Sequence, residues 1–153
     1  MRLQSAMEYL ATYSWAILII AVALAALYFL GVFNPASFEG QQCILPSGLS
    51  CTIVGLAPNG LLTINLLQTT QSQINITATG CSSNSIFSAN ALPKQIAMPT
   101  GTNTTLAVQC YSGSSQFSGP VGSPFSGYVL ISYNETFTGF PHTASGKVFA
   151  KVT

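Results

Sequence analysis

The chain has 153 residues, 48% of them hydrophobic and only 5% charged, with a formal net charge of +1, whereas an average soluble domain carries roughly 25% charged residues. Four basic residues, three Glu and no Asp form no cluster to neutralise a run of phosphates, and they leave few carboxylates for acid–base chemistry or a hard-cation site. Nucleic-acid binding and enzymatic activity are therefore not expected, and disorder is excluded because disordered chains are rich in charge and poor in apolar residues.

In chain order, the first element is a long apolar run. Tyr9 to Phe33 carries no charge, and Trp15 to Leu30 is apolar at nearly every position. As a helix rising about 1.5 Å per residue the run spans roughly 37 Å, enough for a hydrocarbon core of roughly 30 Å. Asn34-Pro35 is the expected stop, because Pro forces the residue before it out of the helical region. A cleaved secretory signal would be shorter and would end at a small-residue site. No Ala-x-Ala precedes Pro35, so the segment is expected to stay in the mature protein. Arg2 lies on its N-terminal side, which by the positive-inside rule puts the N-terminus in the cytoplasm and the chain after Pro35 outside. Two features go beyond a plain anchor. Glu8 lies one turn before the apolar run, where an anchor favours Lys or Arg. Ala16, Ala21, Ala23, Ala25 and Ala26 are the small residues with which helices pack closely on other helices. The simpler alternative is a single-pass anchor whose alanines carry no meaning.

The start Gln4-Ser5-Ala6-Met7-Glu8-Tyr9-Leu10 resembles the class III signal of archaeal type IV pilins: a short basic leader, Gln at the first mature position, Glu at the fifth, then a long apolar helix. The continuation Leu10-Ala-Thr-Tyr-Ser-Trp-Ala-Ile-Leu-Ile-Ile20 is also similar to the family's, and Tyr133-Asn-Glu-Thr136 and Gly139-Phe-Pro-His-Thr143 are similar to the ends of some pilin headgroups. The small residue usual before the cleavage point is replaced by Leu3, which leaves the removal of residues 1–3 open. The resemblance implies a chain that sits first in the cytoplasmic membrane. A pilus assembly machinery then draws it out, with or without a prepilin peptidase, and it polymerises with copies of itself into an extracellular adhesive filament. It implies no cofactor. Both surroundings of the helix are apolar, so one sequence serves both, but a lone carboxylate there must be paired or neutral because an unpaired buried charge is strongly destabilising. The expected partner of Glu8 is the N-terminal amine or Arg2, on the same or a neighbouring subunit, so that Glu8, Arg2 and Gln4 set the register of assembly. A solvated Glu8 that only complements the helix dipole would contribute about 0.3–1 kcal/mol. An archaeal flagellin-like subunit and a monomeric, membrane-anchored extracellular binding domain are the alternatives.

After Pro35 the texture changes to Ser, Thr, Asn, Gln and Gly interleaved with short apolar alternations. Leu62, Ile64 and Leu66 share one face of a strand, as do Ile74, Ile76 and Ala78, and Leu106, Val108 and Cys110. Tyr128 to Tyr133 is a nearly continuous β-rich run, and Val148, Ala150 and Val152 oppose Lys147 and Lys151. Short period-2 runs between Gly, Pro and Ser turns predict an antiparallel β-sandwich, Ig-like or a small barrel, and thus an α+β chain. No amphipathic helix is expected after residue 40, and Ser112–Gly127 reads as a long exposed loop. The expected organisation is residues 1–3 as a leader, 4–34 as the hydrophobic helix of membrane and filament core, and 35–153 as an extracellular β headgroup.

Cys43, Cys51, Cys81 and Cys110 all lie on the outer side, with neither Cys-x-x-Cys nor a Cys/His set. Two disulfides are therefore expected rather than zinc. Of the possible pairings, Cys43–Cys51 with Cys81–Cys110 is preferred, because the first closes a short Pro/Gly loop. Sequons at Asn75, Asn103 and Asn134 are candidate glycosylation sites, with Asn75 on the polar face of its strand and Asn103 in a turn-like stretch. His142 reads as a loop histidine without a nearby carboxylate, structural or solvated. No Gly-x-Ser-x-Gly and no Asp for a triad are present, and no phosphate-binding glycine loop follows a strand.

Overall fold

The computed structural model describes residues 2–33 and 40–153, with side chains from Gln4 onward. The expected helix stop at Asn34-Pro35, Glu39 and the side chain of Arg2 lie outside the described residues. The chain divides into two units, Met1–Glu39 and Gly40–Thr153, and each is described by itself.

The first unit is the helix α1, Arg2–Phe29. Leu, Ala and Met are strong helix formers, and no Gly or Pro interrupts them before residue 31. The few polar groups turn back onto the backbone: Thr12 Oγ1 donates to the Glu8 carbonyl at 2.8 Å and Ser14 Oγ to the Ala11 carbonyl at 2.9 Å. The helix ends five residues before the expected boundary at Asn34, and Gly31 is the reason. Gly31 adopts φ 72°, its N–H donates to the Tyr28 carbonyl at 3.0 Å, and the Val32 N–H donates to the Leu27 carbonyl at 3.1 Å. These two bonds are a Schellman cap, in which glycine takes the left-handed position and satisfies the last carbonyls.

The second unit contains nine strands: β1 (Gln42–Ile44), β2 (Leu49–Leu56), β3 (Leu61–Gln68), β4 (Ile74–Ser82), β5 (Asn90–Met98), β6 (Asn103–Ser112), β7 (Ser115–Gln116), β8 (Pro124–Glu135) and β9 (Pro141–Lys151). They form one sheet in the order β1-β9-β8-β4-β6-β3-β2, with β5 on β4 and β7 on β6. Neighbours run antiparallel except β4 and β6, which meet in parallel at Cys81 opposite Cys110 and Ser82 opposite Tyr111. The sheet is thus mixed, where a wholly antiparallel one was expected. It also curls until its ends approach: Leu56 of β2 bridges Val152 beyond β9, and the Thr153 N–H donates to the Leu56 carbonyl at 2.9 Å. The result is nearly barrel-shaped.

Period-2 patterning explains the core. Leu62, Ile64 and Leu66 are fully buried, and Leu106, Val108, Val129, Ile131, Val148, Ala150 and Val152 join them. Each of the Leu, Ile and Val side chains contributes roughly 1.5–3 kcal/mol by leaving water. On β4 the expected face holds only as far as Ile76. A β-bulge between Ile76 and Ala78 shifts the phase, so Thr79 and Cys81 face inward and Ala78 is half-buried. Most of the expected loop Ser112–Gly127 is irregular and exposed, including residues 117–123, but β7 and the start of β8 fall inside it. β6 turns at Gly113 (φ 65°) into β7, and β8 begins at Pro124 with Phe125 buried edge-on against Phe117, ring centroids 4.9 Å apart. Gly146 marks a close approach, since an added Cβ would strike the Ile44 carbonyl oxygen of β1.

The two disulfides are Cys43–Cys51, Cα–Cα 5.6 Å, and Cys81–Cys110, Cα–Cα 4.4 Å, the pairing that the sequence favours. One ties β1 to β2, the outermost strands of the sheet, and the other sits on the parallel β4–β6 junction. Both therefore fasten places where long antiparallel ladders are absent.

Candidate functional site

The residues expected to set assembly register lie on α1. Gln4 and Glu8 are exposed, and the most apolar 18 residues within Gln4–Phe29 have a mean hydropathy of 2.2 with none of them buried. At about 100° per residue, Ala21 and Ala25 fall on one side of the helix and Ala16 and Ala23 on another, with Ala26 apart from both. The alanines do not form a single seam. Large side chains including Trp15, Ile17, Leu18 and Ile20 stand exposed between them, so the helix is apolar around its circumference. An amphipathic surface helix has one apolar stripe, and a helix apolar on every side requires an apolar environment on every side. By length and composition α1 is sufficient to cross a membrane.

In the β unit the sequence-based reading of His142 needs correction. His142 lies on β9 directly opposite Tyr133 of β8, not in a loop. The two rings stack with centroids 5.4 Å apart, and Nε2 lies 3.7 Å from Oε1 of Glu135. Thr138 Oγ1 donates to the other carboxylate oxygen at 3.0 Å. Burial, and next the neighbouring Glu135 charge, push the Tyr133 phenol above its ordinary value. The carboxylate stands between hydroxyl and imidazole here. In nucleophilic catalysis the base stands between the nucleophile and the orienting acid, so this trio has the geometry of a hairpin clamp.

The three sequons are placed differently from one another. Asn75 is half-buried in β4, between β5 and β8, and is the register partner of Asn134, itself half-buried in β8. Directly opposed residues have Cβ atoms only about 5 Å apart, too close for two glycans. The Thr77 hydroxyl of the first sequon donates to the Ser132 carbonyl at 3.2 Å. Asn103, by contrast, is exposed where β6 begins.

Two features escaped the sequence reading. The β8–β9 hairpin presents Phe137 and Phe140 at its tip, 92% and 67% exposed. At the opposite end of the unit, Val54, Leu56, Ala57, Leu61 and Thr63 line a shallow depression of about 240 Å³. The signal for the first was present: two Phe among Thr and Gly, between strong strand runs. The second depends on how β2 turns into β3 and has no local signature.

Charge is also unevenly spread. Lys94, Glu135, Lys147 and Lys151 all lie on β5, β8 and β9, while β2, β3 and β6 carry no charged residue. Comparison with the models of known protein families gives no match to this chain, and comparison with curated proteins gives none either.

Proposed function

We propose that the chain is a pilin-like subunit, inserted in the cytoplasmic membrane with its N-terminus inside, which polymerises through α1 into an extracellular adhesive filament. The observation that carries this reading is the apolar stretch of α1, which from Trp15 to Phe29 presents exposed apolar side chains on every side. Lipid satisfies such a surface before assembly, and α1 of neighbouring copies satisfies it afterwards. Glu8 is the exception and fixes the docking register through the N-terminal amine or Arg2. The β unit is a small-barrel headgroup forming the filament surface. Its two disulfides suit an oxidising extracellular space, and Asn103 is the sequon best placed to carry a glycan.

Variants at Glu8 test the register. Under this reading Glu8→Ala and Glu8→Lys insert into the membrane as the parent does but yield no fibres on shearing. Normal fibres from both variants would remove the register role. Parent protein that stays monomeric in the membrane would favour the anchored binding domain.

A further inference from the structure

The hairpin tip and the apolar depression occupy opposite poles of the β unit. β9 runs from Pro141, beside the tip, to Lys151, beside the bridge of Val152 to Leu56. That span is about 33 Å at roughly 3.3 Å per residue. Phe137 is the most exposed large apolar side chain at the tip pole, and Val54 (62% exposed) and Leu61 stand at the rim of the depression. A cavity of ~150 Å³ holds a benzene molecule, so a depression of about 240 Å³ has room for one phenyl ring. It is also smaller than the ~300 Å³ at which small-molecule sites begin.

The geometry points to head-to-tail docking of β units, the Phe137–Phe140 tip of one copy seated in the Val54–Leu61 depression of the next. This rests on the filament reading and adds an axial contact between headgroups to the contact between helices. Charge favours a second copy as occupant. Glu135, the only acidic side chain of the described β unit, stands at the tip pole, and Lys151 stands beside Val152 at the depression pole. Each interface then brings Glu135 of one copy towards the Lys151 pole of the next. No charged side chain lines the depression, whose walls are Val54–Ala57, Leu61, Thr63 and Thr153. Because knob and hole are different patches, the contact is heterologous, and because they lie at opposite poles it propagates along a line, as in a fibre rather than a two-fold dimer.

Cysteine cross-linking in the full-length chain tests this, since all four native cysteines are already in disulfides. Thr136→Cys stands exposed beside the tip and leaves Phe137 and Phe140 in place, and Val54→Cys keeps a small apolar side chain at the rim of the depression. Sheared fibres of the double variant, oxidised with copper phenanthroline, should give a ladder of multimers on a non-reducing gel, and mixed single variants should give the dimer. The control pairs Thr136→Cys with Leu67→Cys, which lies on the same strand as Leu61 but at the tip pole, and should give no ladder. Fibres without the Thr136–Val54 ladder, or with an equal ladder in the control, would overturn the docking and leave the filament standing. Absence of fibres from the parent chain would overturn the filament reading and the docking with it.

Discussion

Tyr133 and Gly146 show how single residues hold the β unit. The Tyr133 phenol is raised by burial and by Glu135, so the folded state favours its neutral form. The stability tied to it is complete below the ordinary phenol value of about 10 and is lost as pH rises through the higher folded value. Alkaline denaturation should therefore begin at a higher pH in Tyr133→Phe than in the parent, as followed by far-ultraviolet circular dichroism. An unchanged onset would remove Tyr133 from the account. Gly146 acts through space alone: a side chain there meets the Ile44 carbonyl and the Leu45 side chain. Gly146→Val should destabilise the unit by about 1–3 kcal/mol, measured by denaturant unfolding, and should expose the Cys43–Cys51 disulfide to faster reduction because β1 is displaced.

Among the elements, the strands with clean alternation were legible and those with a broken phase were not. Leu62, Ile64 and Leu66 declare β3 because the same face is buried along its length. β4 begins equally clearly at Ile74 and Ile76, but its bulge adds a residue that no local pattern announces. Ser112–Gly127 is mostly the exposed loop that its Ser and Gly content announces, whereas β7, only two residues long, and the proline-led start of β8 within it carry no local signal. The end of α1 was misplaced because Pro35 outweighed Gly31, although glycine just past a helix is itself a stop signal. His142 looked isolated because its partners Tyr133 and Glu135 approach across a hairpin rather than along the chain. The disulfides differ in loop length: 8 residues for Cys43–Cys51, between consecutive strands, and 29 for Cys81–Cys110. Loop-closure entropy gives roughly 2.5 and 3.6 kcal/mol respectively. Replacing Cys81 and Cys110 by Ser should therefore lower unfolding stability more than replacing Cys43 and Cys51. Calorimetry of the two double variants checks the order, and the reverse order would show that native-state packing rather than chain entropy dominates.

For the whole molecule, scarce charge has two separate origins. In α1 it suits a helix whose every side needs an apolar partner, with Glu8 the single acidic residue. In the β unit it leaves six of the nine strands without any charge and a hairpin tip of two exposed Phe, surfaces better suited to packing among copies than to repelling them. Composition alone exposed the first of these. The second required the sheet order, because β6 lies beside β3, which in turn pairs β2, only in the folded chain. The central claim is that α1 finds its apolar partners in other copies. Electron microscopy of material sheared from cells expressing the parent chain tests it most directly. The account predicts helical fibres composed of this chain, with α1 inside and the β unit outside. A chain that remains in the membrane fraction and is never found in sheared fibres would contradict it.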